Sequence, residues 1–349
     1  FRRVLFRSHI EYNHFEWLGE NAIATWGDTK GYDALAGEFP MHTLIEHNVM
    51  RELGIYEKQS SAVGQCKAAL TTIRNNIMFN MARAAINFND LVGGGDIVEG
   101  NLIFNTCRES GDHGPINSWD RQPFLTNLRD GKTGSFDPLP RIIRHNFIFA
   151  NYNAAQGVDN DDGSSWFHIH HNLFYMAEGF KMDYGGHDSI FEYNMIMSFC
   201  KYFDLILFFC SLIMSCAKKL KRNIIIYLFD MLIFTNDVLP AYHGGPCFGM
   251  GNFLEGHGDV LRGNRCLVGL RDDDDKSDGD KSDYEVYDSS YETSGTMVTV
   301  LSLDEVLEDE PPFVGRLWGG CQDSHVTLVS NEYYTPDGIA MIACNGNDF

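Results

Sequence analysis

The sequence contains 349 residues, of which 44% are hydrophobic and 21% are charged, and it carries a formal net charge of -21 at pH 7. A chain of this length and composition can bury one large core or two small ones. The negative charge excludes nucleic acid and anionic membranes as the main partners, because proteins bind both through clustered Lys and Arg.

The first nine residues, 1–9, are predicted to lie outside the fold. The opening FRRVLFRS has neither the apolar stretch nor the small-residue cleavage site of a signal peptide. Residues 2–8 instead resemble the translation of a sequencing-adapter oligonucleotide. We therefore expect the chain to be a fragment that lacks its native start and its signal peptide.

A short phrase recurs after this leader, in which an Asn precedes a run of apolar residues. Successive gaps include 28, 25, 26 and 22 residues. The repeated residues are Asn13, Asn48, Asn76, Asn101, Asn146, Asn172, Asn194, Asn264 and Asn331. A period of this size, with short alternating strands and no helical pattern, is typical of a solenoid.

The repeats predict an all-β fold, a right-handed parallel β-helix solenoid, with coils over 10–199. A leucine-rich repeat would need a regular leucine framework, which the chain lacks. In a β-helix, Asn tolerates the left-handed conformation of a turn, and stacked Asn side chains hydrogen-bond from coil to coil. The aromatic residues predicted to stack in the core are Phe79, Phe104, Phe149 and Phe174.

Residues 200–240 interrupt the repeat with a hydrophobic stretch, in which a first apolar run over 202–217 is followed by the basic KKLKR and then by further apolar residues. A membrane helix is one interpretation, but the first apolar run is shorter than about 18 residues and contains Asp204. A genuine hydrophobic insertion is another. We favour a retained intron, because the segment is rich in residues with AT-rich codons and its removal restores the spacing between Asn194 and Asn264.

The coils are expected to resume over 241–270 and to close with a C-terminal coil or cap over 313–349. Between them, 271–312 is acidic and poor in apolar residues, which predicts a solvated, mobile loop. Calcium binding is an alternative for this loop, although it lacks the Gly and terminal Glu of an ordered calcium loop.

The cysteines favour an extracellular location. Removing 200–240 leaves six of the nine, namely Cys66, Cys107, Cys247, Cys266, Cys321 and Cys344. An even set without C-x-x-C spacing suits disulfides in an oxidising compartment better than a zinc site.

Four phrases carry a family resemblance: AINFND (85–90), RESGDHGPINSWDRQP (108–123), DNDDGS (159–164) and KMDYGGHD (181–188). Through them the chain resembles β-helix repeat proteins of the pectate-lyase-like superfamily, in particular extracellular ones of poorly defined function. The resemblance covers about 10–199 and returns from about 242. It implies the parallel β-helix fold rather than a particular activity.

Repeat register predicts that one lateral face gathers titratable side chains. Counted from the Asn of each repeat, Asp112 and Asp183 lie at offset 11 and Asp159 lies at offset 13. On coils about 4.8 Å apart, such positions fall near one another. Strand alternation in FKMDY (180–184) points Phe180, Met182 and Tyr184 one way and Lys181 and Asp183 the other. In WFHIHHN (166–172) it points Phe167 and Ile169 inward and His168 and His170 outward.

This face is the candidate site. The predicted catalytic residues are Asp159, Asp161, Asp162, Asp183, Lys181 and His187. The predicted substrate-binding residues are Asp112, His113, Trp119, Arg121 and Asp188. Carboxylates this close cannot all ionise freely, which suits acid–base catalysis or cation binding. The Trp offers a flat apolar face on which a sugar ring can stack. Arg or Lys can bind a substrate carboxylate. The alternative is that these Asp and Gly residues only build turns.

No metal ligands are predicted, because the His residues of HIHH (168–171) have no carboxylate at a spacing typical of a transition-metal site. Calcium is the one cofactor considered. The predicted partner is a polysaccharide, the predicted state is a monomer, and a membrane anchor depends on 200–240 being genuine.

Three functions stay open. A glycoside hydrolase would use the Asp residues as acid and base, and the adjacent Asp pair followed by Gly-His is similar to polygalacturonases, without their Arg-x-Lys clamp. A lyase or epimerase would abstract a proton through Lys181 or His187 after neutralising a uronate with calcium or Arg121. A non-catalytic module would bind glycans or calcium. A catalytic face needs a cleft wall, which the long turn from Trp119 to Pro140 could supply.

Overall fold

The computed structural model describes residues 7–27, 39–89, 93–110, 113–119, 124–126, 136–149, 156–198, 247–251, 257–268, 284–288, 291–293, 296–298, 313–318, 326–334 and 341–345. These ranges form strands and turns and contain no helix, which confirms the predicted all-β class. None of the described residues form a helix that is long and apolar enough to span a membrane.

The described residues wind through nine coils, and each coil adds one strand to each of three parallel sheets. The first four coils are β1 (His9–Glu11), β2 (His14–Leu18) and β3 (Ile23–Trp26); β4 (Leu44–Glu46), β5 (Val49–Leu53) and β6 (Val63–Cys66); β7 (Thr72–Arg74), β8 (Ile77–Met81) and β9 (Ile86–Asn89); β10 (Ile97–Glu99), β11 (Leu102–Phe104) and β12 (Ile116–Ser118). An antiparallel hairpin, β13 (Phe124–Thr126) and β14 (Phe136–Pro138), follows the fourth coil.

Coils five to nine continue the same pattern. They are β15 (Arg141–Arg144), β16 (Phe147–Phe149) and β17 (Gln156–Asn160); β18 (Phe167–His170), β19 (Leu173–Tyr175) and β20 (Glu178–Met182); β21 (Ile190–Glu192), β22 (Met195–Ser198) and β23 (Phe248–Gly251); β24 (Asp259–Arg262), β25 (Arg265–Val268) and β29 (Phe313–Trp318); β30 (Val326–Val329), β31 (Glu332–Tyr334) and β32 (Met341–Asn345). Three further strands lie between β25 and β29 in the chain: β26 (Tyr284–Asp288), β27 (Tyr291–Thr293) and β28 (Thr296–Val298). The first strand of each coil forms the first sheet, the second strand the second sheet, and the third strand the third sheet. This arrangement confirms the predicted parallel β-helix solenoid.

The interior is filled by the inward-pointing apolar residues of the strands. In the first sheet, Ile45, Ile73, Val98 and Ile143 lie in register and are almost completely buried. Burying apolar side chains in register stabilises every interface between coils, at roughly 25 cal/mol per Å² of apolar surface. The core therefore runs along the solenoid axis.

The nine repeated Asn residues form one continuous hydrogen-bonded ladder, as predicted. Each Nδ2 donates to the Oδ1 of the Asn in the next coil at 3.0–3.1 Å. The same Oδ1 accepts the backbone N–H of the previous Asn at 2.9–3.0 Å. From the second rung onward, each Nδ2 group also donates its other hydrogen to a backbone carbonyl oxygen of the preceding coil. The amides are thus satisfied on both sides.

The left-handed conformation predicted for the Asn residues belongs instead to the residue before each one. That residue has a φ between 52° and 65° in all nine repeats: Tyr12, His47, Asn75, Gly100, His145, His171, Tyr193, Gly263 and Ser330. The strained residue turns the chain between the first and second sheets, which leaves the Asn side chain free to point into the turn and join the ladder.

The predicted aromatic stack is correct for three of its four members. The ring centroids of Phe79 and Phe104 lie 4.7 Å apart, and those of Phe104 and Phe149 lie 4.8 Å apart. Tyr175 is the residue in register with Phe149, whereas Phe174 is in register with Ile148 and belongs to the main core. The prediction that Phe174 extends the stack is therefore wrong by one residue.

One disulfide, Cys247–Cys266, joins β25 to the residue before β23. Cys66 and Cys107 are buried and are not disulfide-bonded. Of the disulfides predicted among the six cysteines, the described residues therefore contain one. Cys321 lies outside them.

The suspected insertion 200–240 also lies outside the described residues. It falls in the connection between β22 and β23, which carries the chain from the second sheet to the third. Without it, that connection would be as short as those of the first six coils. Within the predicted acidic loop, the structure has the strands β26, β27 and β28, and β26 pairs antiparallel with β32.

Replacement of one ladder residue should destabilise the whole solenoid. Asn146→Ala removes the acceptor of two N–H groups of Asn101, both at 3.0 Å. We expect this variant to lower the free energy of unfolding by about 2–4 kcal/mol, because buried donors are left without partners. Urea denaturation followed by circular dichroism measures the effect.

The matched control is Asn13→Ala, at the exposed first rung of the ladder. If both variants unfold at the same urea concentration, the ladder does not hold the coils together.

Candidate functional site

A row of polar side chains runs along the outer face of the third sheet. Asn87, Asn117, Asp159 and Lys181 occupy equivalent positions on β9, β12, β17 and β20. Their neighbours in each strand point into the core, so alternation turns these four side chains outward. The row places an ammonium beside a carboxylate on adjacent coils.

Lys181 lies at the centre of three carboxylates. Its Nζ is 3.1 Å from Asp159 Oδ1, 3.2 Å from Asp161 Oδ1 and 3.1 Å from Asp183 Oδ2. Three of the predicted catalytic Asp residues therefore converge on the predicted catalytic Lys. We call these four residues the Lys181 cluster.

The members of the Lys181 cluster differ in exposure. Asp159 is 1% exposed and accepts a hydrogen bond from Asn117 Nδ2 at 3.2 Å. The side chains of Lys181, Asp161 and Asp183 are 15%, 19% and 11% exposed. The expectation that Asp159 lies on the surface is thus wrong. It lies beneath the face as a buried counter-ion, while Asp161 is partly exposed and Asp183 is largely buried.

Two tight turns position the exposed carboxylates. Asp161 N–H donates to Ser118 O at 2.7 Å, directly after β17. In the same turn Asp162 adopts a φ of 52°, and the N–H of Gly163 donates to Asp183 O at 3.1 Å. The turns of two adjacent coils are hydrogen-bonded to each other, so Asp161 and Asp183 are held side by side. Asp162, also predicted to be catalytic, occupies the left-handed position of this turn.

Charge crowding shifts two pKa values in the Lys181 cluster. Burial alone would lower the pKa of Lys181, but the carboxylates of Asp159, Asp183 and Asp161 outweigh it and raise that pKa above its ordinary value. Burial raises the pKa of Asp183 to about 7; Lys181 opposes this shift and the neighbouring Asp161 carboxylate adds to it. A pKa of about 7 leaves Asp183 partly protonated near neutral pH, chiefly because its carboxyl group is buried.

The pair His187 and Asp188 lies in the next turn, before β21. His187 Nδ1 is 2.8 Å from Asp188 Oδ2, and His257 Nδ1, on the following coil, is also 2.8 Å from that oxygen. The two His residues and the Asp form a compact group in the turns that precede β21 and β24. Sequence reasoning missed His257, because its neighbours in space lie 69 residues away in the chain.

The remaining predicted binding residues are spread along the fourth coil. His113 Nδ1 is 2.7 Å from Ser110 Oγ. The guanidinium of Arg83 lies over the Trp119 ring, 5.9 Å from its centroid, and covers one face of the predicted sugar platform. Asp112 and Arg121 lie outside the described residues. The turn expected to form a cleft wall contains the hairpin β13–β14.

The histidines of HIHH occupy a different face from the carboxylates of DNDDGS, although both stretches are close in sequence. His168 and His170 point outward from the first sheet, as alternation predicted. His168 Nε2 lies 2.7 Å from Glu192 Oε1, so it has a carboxylate partner that the sequence analysis did not find. Burial, and then the neighbouring His168 and His171, lower the pKa of His170 to about 4.

Comparisons with protein-family models, curated proteins and solved structures find no match for this chain. The account of the site therefore depends on its own geometry.

Removal of the central ammonium should destabilise the fold in a pH-dependent way. Lys181→Met leaves three carboxylates facing one another, one of them buried, and we expect a loss of about 3–5 kcal/mol at pH 7. Lys181 lowers the pKa of Asp183, so its removal raises that pKa further above the unfolded value, and the folded variant binds a proton more tightly than the unfolded chain as the pH falls. The loss should therefore shrink towards pH 4. Urea denaturation at both pH values measures it.

The control is Lys58→Met, which breaks the exposed ion pair with Glu109 (2.8 Å; side chains 42% and 51% exposed). That change should cost less than about 1 kcal/mol at either pH. Equal losses in the two variants would show that the Lys181 cluster is an ordinary surface ion pair.

Proposed function

We propose that this protein is an extracellular, polysaccharide-active enzyme of the glycoside hydrolase type, with Asp183 as general acid and Asp161 as its partner carboxylate. The observation that carries the proposal is the contact of two carboxyl groups, the partly exposed Asp161 and the largely buried Asp183, with one ammonium; burial raises the pKa of Asp183 to about 7. Glycoside hydrolysis uses a pair of carboxyl groups, one of which has a raised pKa and acts as the general acid.

Each member of the Lys181 cluster has a role in this proposal. The protonated Asp183 donates its proton to the glycosidic oxygen as the bond to the anomeric carbon breaks. The Asp161 carboxylate activates the attacking water or stabilises the positive charge that develops on the sugar. Lys181 and the buried Asp159 act as positioning residues in this proposal, because the Lys181 ammonium contacts Asp159, Asp161 and Asp183 and so holds the two reacting carboxyl groups together.

The geometry disfavours a lyase or epimerase that uses Lys181 as the base. A lysine must lose its proton before it can accept one from a substrate, and the surrounding carboxylates raise the pKa of Lys181. The same contacts disfavour calcium binding within the cluster, since the Lys181 ammonium occupies the position between three carboxylates that a cation would take.

An extracellular location fits the disulfide Cys247–Cys266, because such bonds persist in oxidising compartments. The proposed partner is a polysaccharide and the proposed state is a monomer. A non-catalytic glycan-binding module is the alternative, and the activity screen below separates it from the enzyme.

The proposal is tested by a screen of pectins, alginates, and sulfated and neutral glycans, with reducing ends and unsaturated uronates measured together. We expect new reducing ends without ultraviolet absorbance. Both signals together would indicate a lyase. Glycan binding by a folded protein without either signal would indicate the binding module, and would overturn the proposed hydrolysis.

Asp183→Asn and the double variant Asp161→Asn with Asp162→Asn should abolish turnover while leaving the fold intact. Glu109→Gln, which changes an exposed carboxylate elsewhere, should keep full activity. Turnover that survives in both site variants would exclude the Lys181 cluster from the chemistry.

The pH dependence of kcat/KM should fall on the alkaline side with a midpoint near the raised pKa of Asp183, about 7. The general acid works only while it is protonated, so activity is lost as the pH rises through that value. An alkaline limb that lies above pH 9 would assign the acid to another group.

A further inference from the structure

A second group of potential ligands lies in the turns that lead into the first sheet. Among the described residues, His187, Asp188 and His257 form a group whose ligand atoms all lie within 4.8 Å of one another. We propose that these three side chains bind a zinc ion or a chemically similar divalent transition metal.

The distances suit a metal with short bonds. Both Nδ1 atoms, of His187 and His257, lie 2.8 Å from the same oxygen, Asp188 Oδ2, and the two imidazole centroids are 4.1 Å apart. In a tetrahedral zinc site, bonds of about 2.0–2.1 Å separate the ligand atoms by about 3.3 Å. Small rotations of side chains would open this group to that spacing.

The donor types select the class of metal. Two imidazole nitrogens and one carboxylate oxygen are a ligand set of zinc and related transition metals, whereas calcium and magnesium prefer oxygen ligands throughout. Three protein ligands leave a fourth position for water. The side chains of Asp188 and His257 are 34% and 40% exposed, so this position is open to solvent.

The backbone holds the three ligands in place before any metal arrives. Asp188 N–H donates to Gly258 O at 3.1 Å, which ties the two ligand-bearing turns together. His187 N–H donates to Ser165 Oγ at 3.0 Å, and the ring of Trp166 packs edge-on against the His187 imidazole at 5.1 Å. Ligands on such fixed elements bind a metal with little loss of conformational freedom.

The simpler interpretation is that both imidazoles only donate hydrogen bonds to Asp188. A second competitor is the histidine group of the first sheet, where His170 and His171 place their Nδ1 atoms 2.9 Å apart. The experiment must therefore separate the proposed site from both alternatives.

The test uses the full chain after removal of metals with a chelator. Isothermal titration with Zn²⁺ should give one ion per chain, and Co²⁺ should produce the visible absorption of a four- or five-coordinate nitrogen–oxygen site. His257→Gln should weaken Zn²⁺ binding by more than the roughly 10- to 100-fold typical of changes outside the ligand set. Zn²⁺ should raise the melting temperature of the unaltered chain but not that of His257→Gln.

Asp188→Asn provides a second variant, because Asn tolerates the φ of 55° found at this position. The matched control is His171→Gln, which should bind Zn²⁺ like the unaltered chain. The proposal is overturned if the chain binds no Zn²⁺, if His257→Gln binds it as tightly as before, or if only His171→Gln loses binding. The first of these results would leave the hydrogen-bonded interpretation, and the last would assign binding to the first-sheet histidines.

Discussion

The asparagine ladder is the constraint on which the rest of this structure depends. Each Asn amide is bonded to the coils on both sides, so one column of side chains fixes the register at the corner between the first and second sheets. The residue before each Asn carries the left-handed strain, and the amide bonds offset its cost. With this corner fixed, the turns elsewhere can vary in length without disturbing the stacking of the strands.

The functional face follows from that register. Stacking brings Lys181 directly beside Asp159, and the hydrogen-bonded turns after β17 and β20 add Asp161 and Asp183. The most buried carboxylate, Asp159, contacts the Lys181 ammonium, and the same ammonium also contacts the carboxylates of Asp161 and Asp183. One positive charge therefore faces three carboxyl groups. Burial of Asp183, together with the adjacent Asp161 carboxylate, raises the pKa of Asp183 to about 7 although Lys181 opposes the shift.

The fold was predictable from the sequence because its signal is periodic: the nine Asn residues identified by their spacing are the nine rungs of the ladder. The site was predicted only in part. Offsets counted from the repeated Asn placed Asp159, at 13, close to Asp183, at 11. The residue in register with Asp159 is instead Lys181, because the turns between the second and third sheets differ in length from coil to coil. A count along the chain cannot correct for this variation. His257 was missed for the related reason that its partners lie one coil away.

Titration of the Asp carboxyl carbons by ¹³C NMR in the folded protein decides whether Asp183 can serve as a general acid. A side-chain carboxyl should titrate with a midpoint near pH 7 and disappear in Asp183→Asn; the signal of Asp259, whose pKa burial also raises to about 7, should remain. If Asp183→Asn removes only a signal that titrates near the ordinary value of about 3.9, the Lys181 cluster holds no proton at neutral pH and the proposed general acid is contradicted.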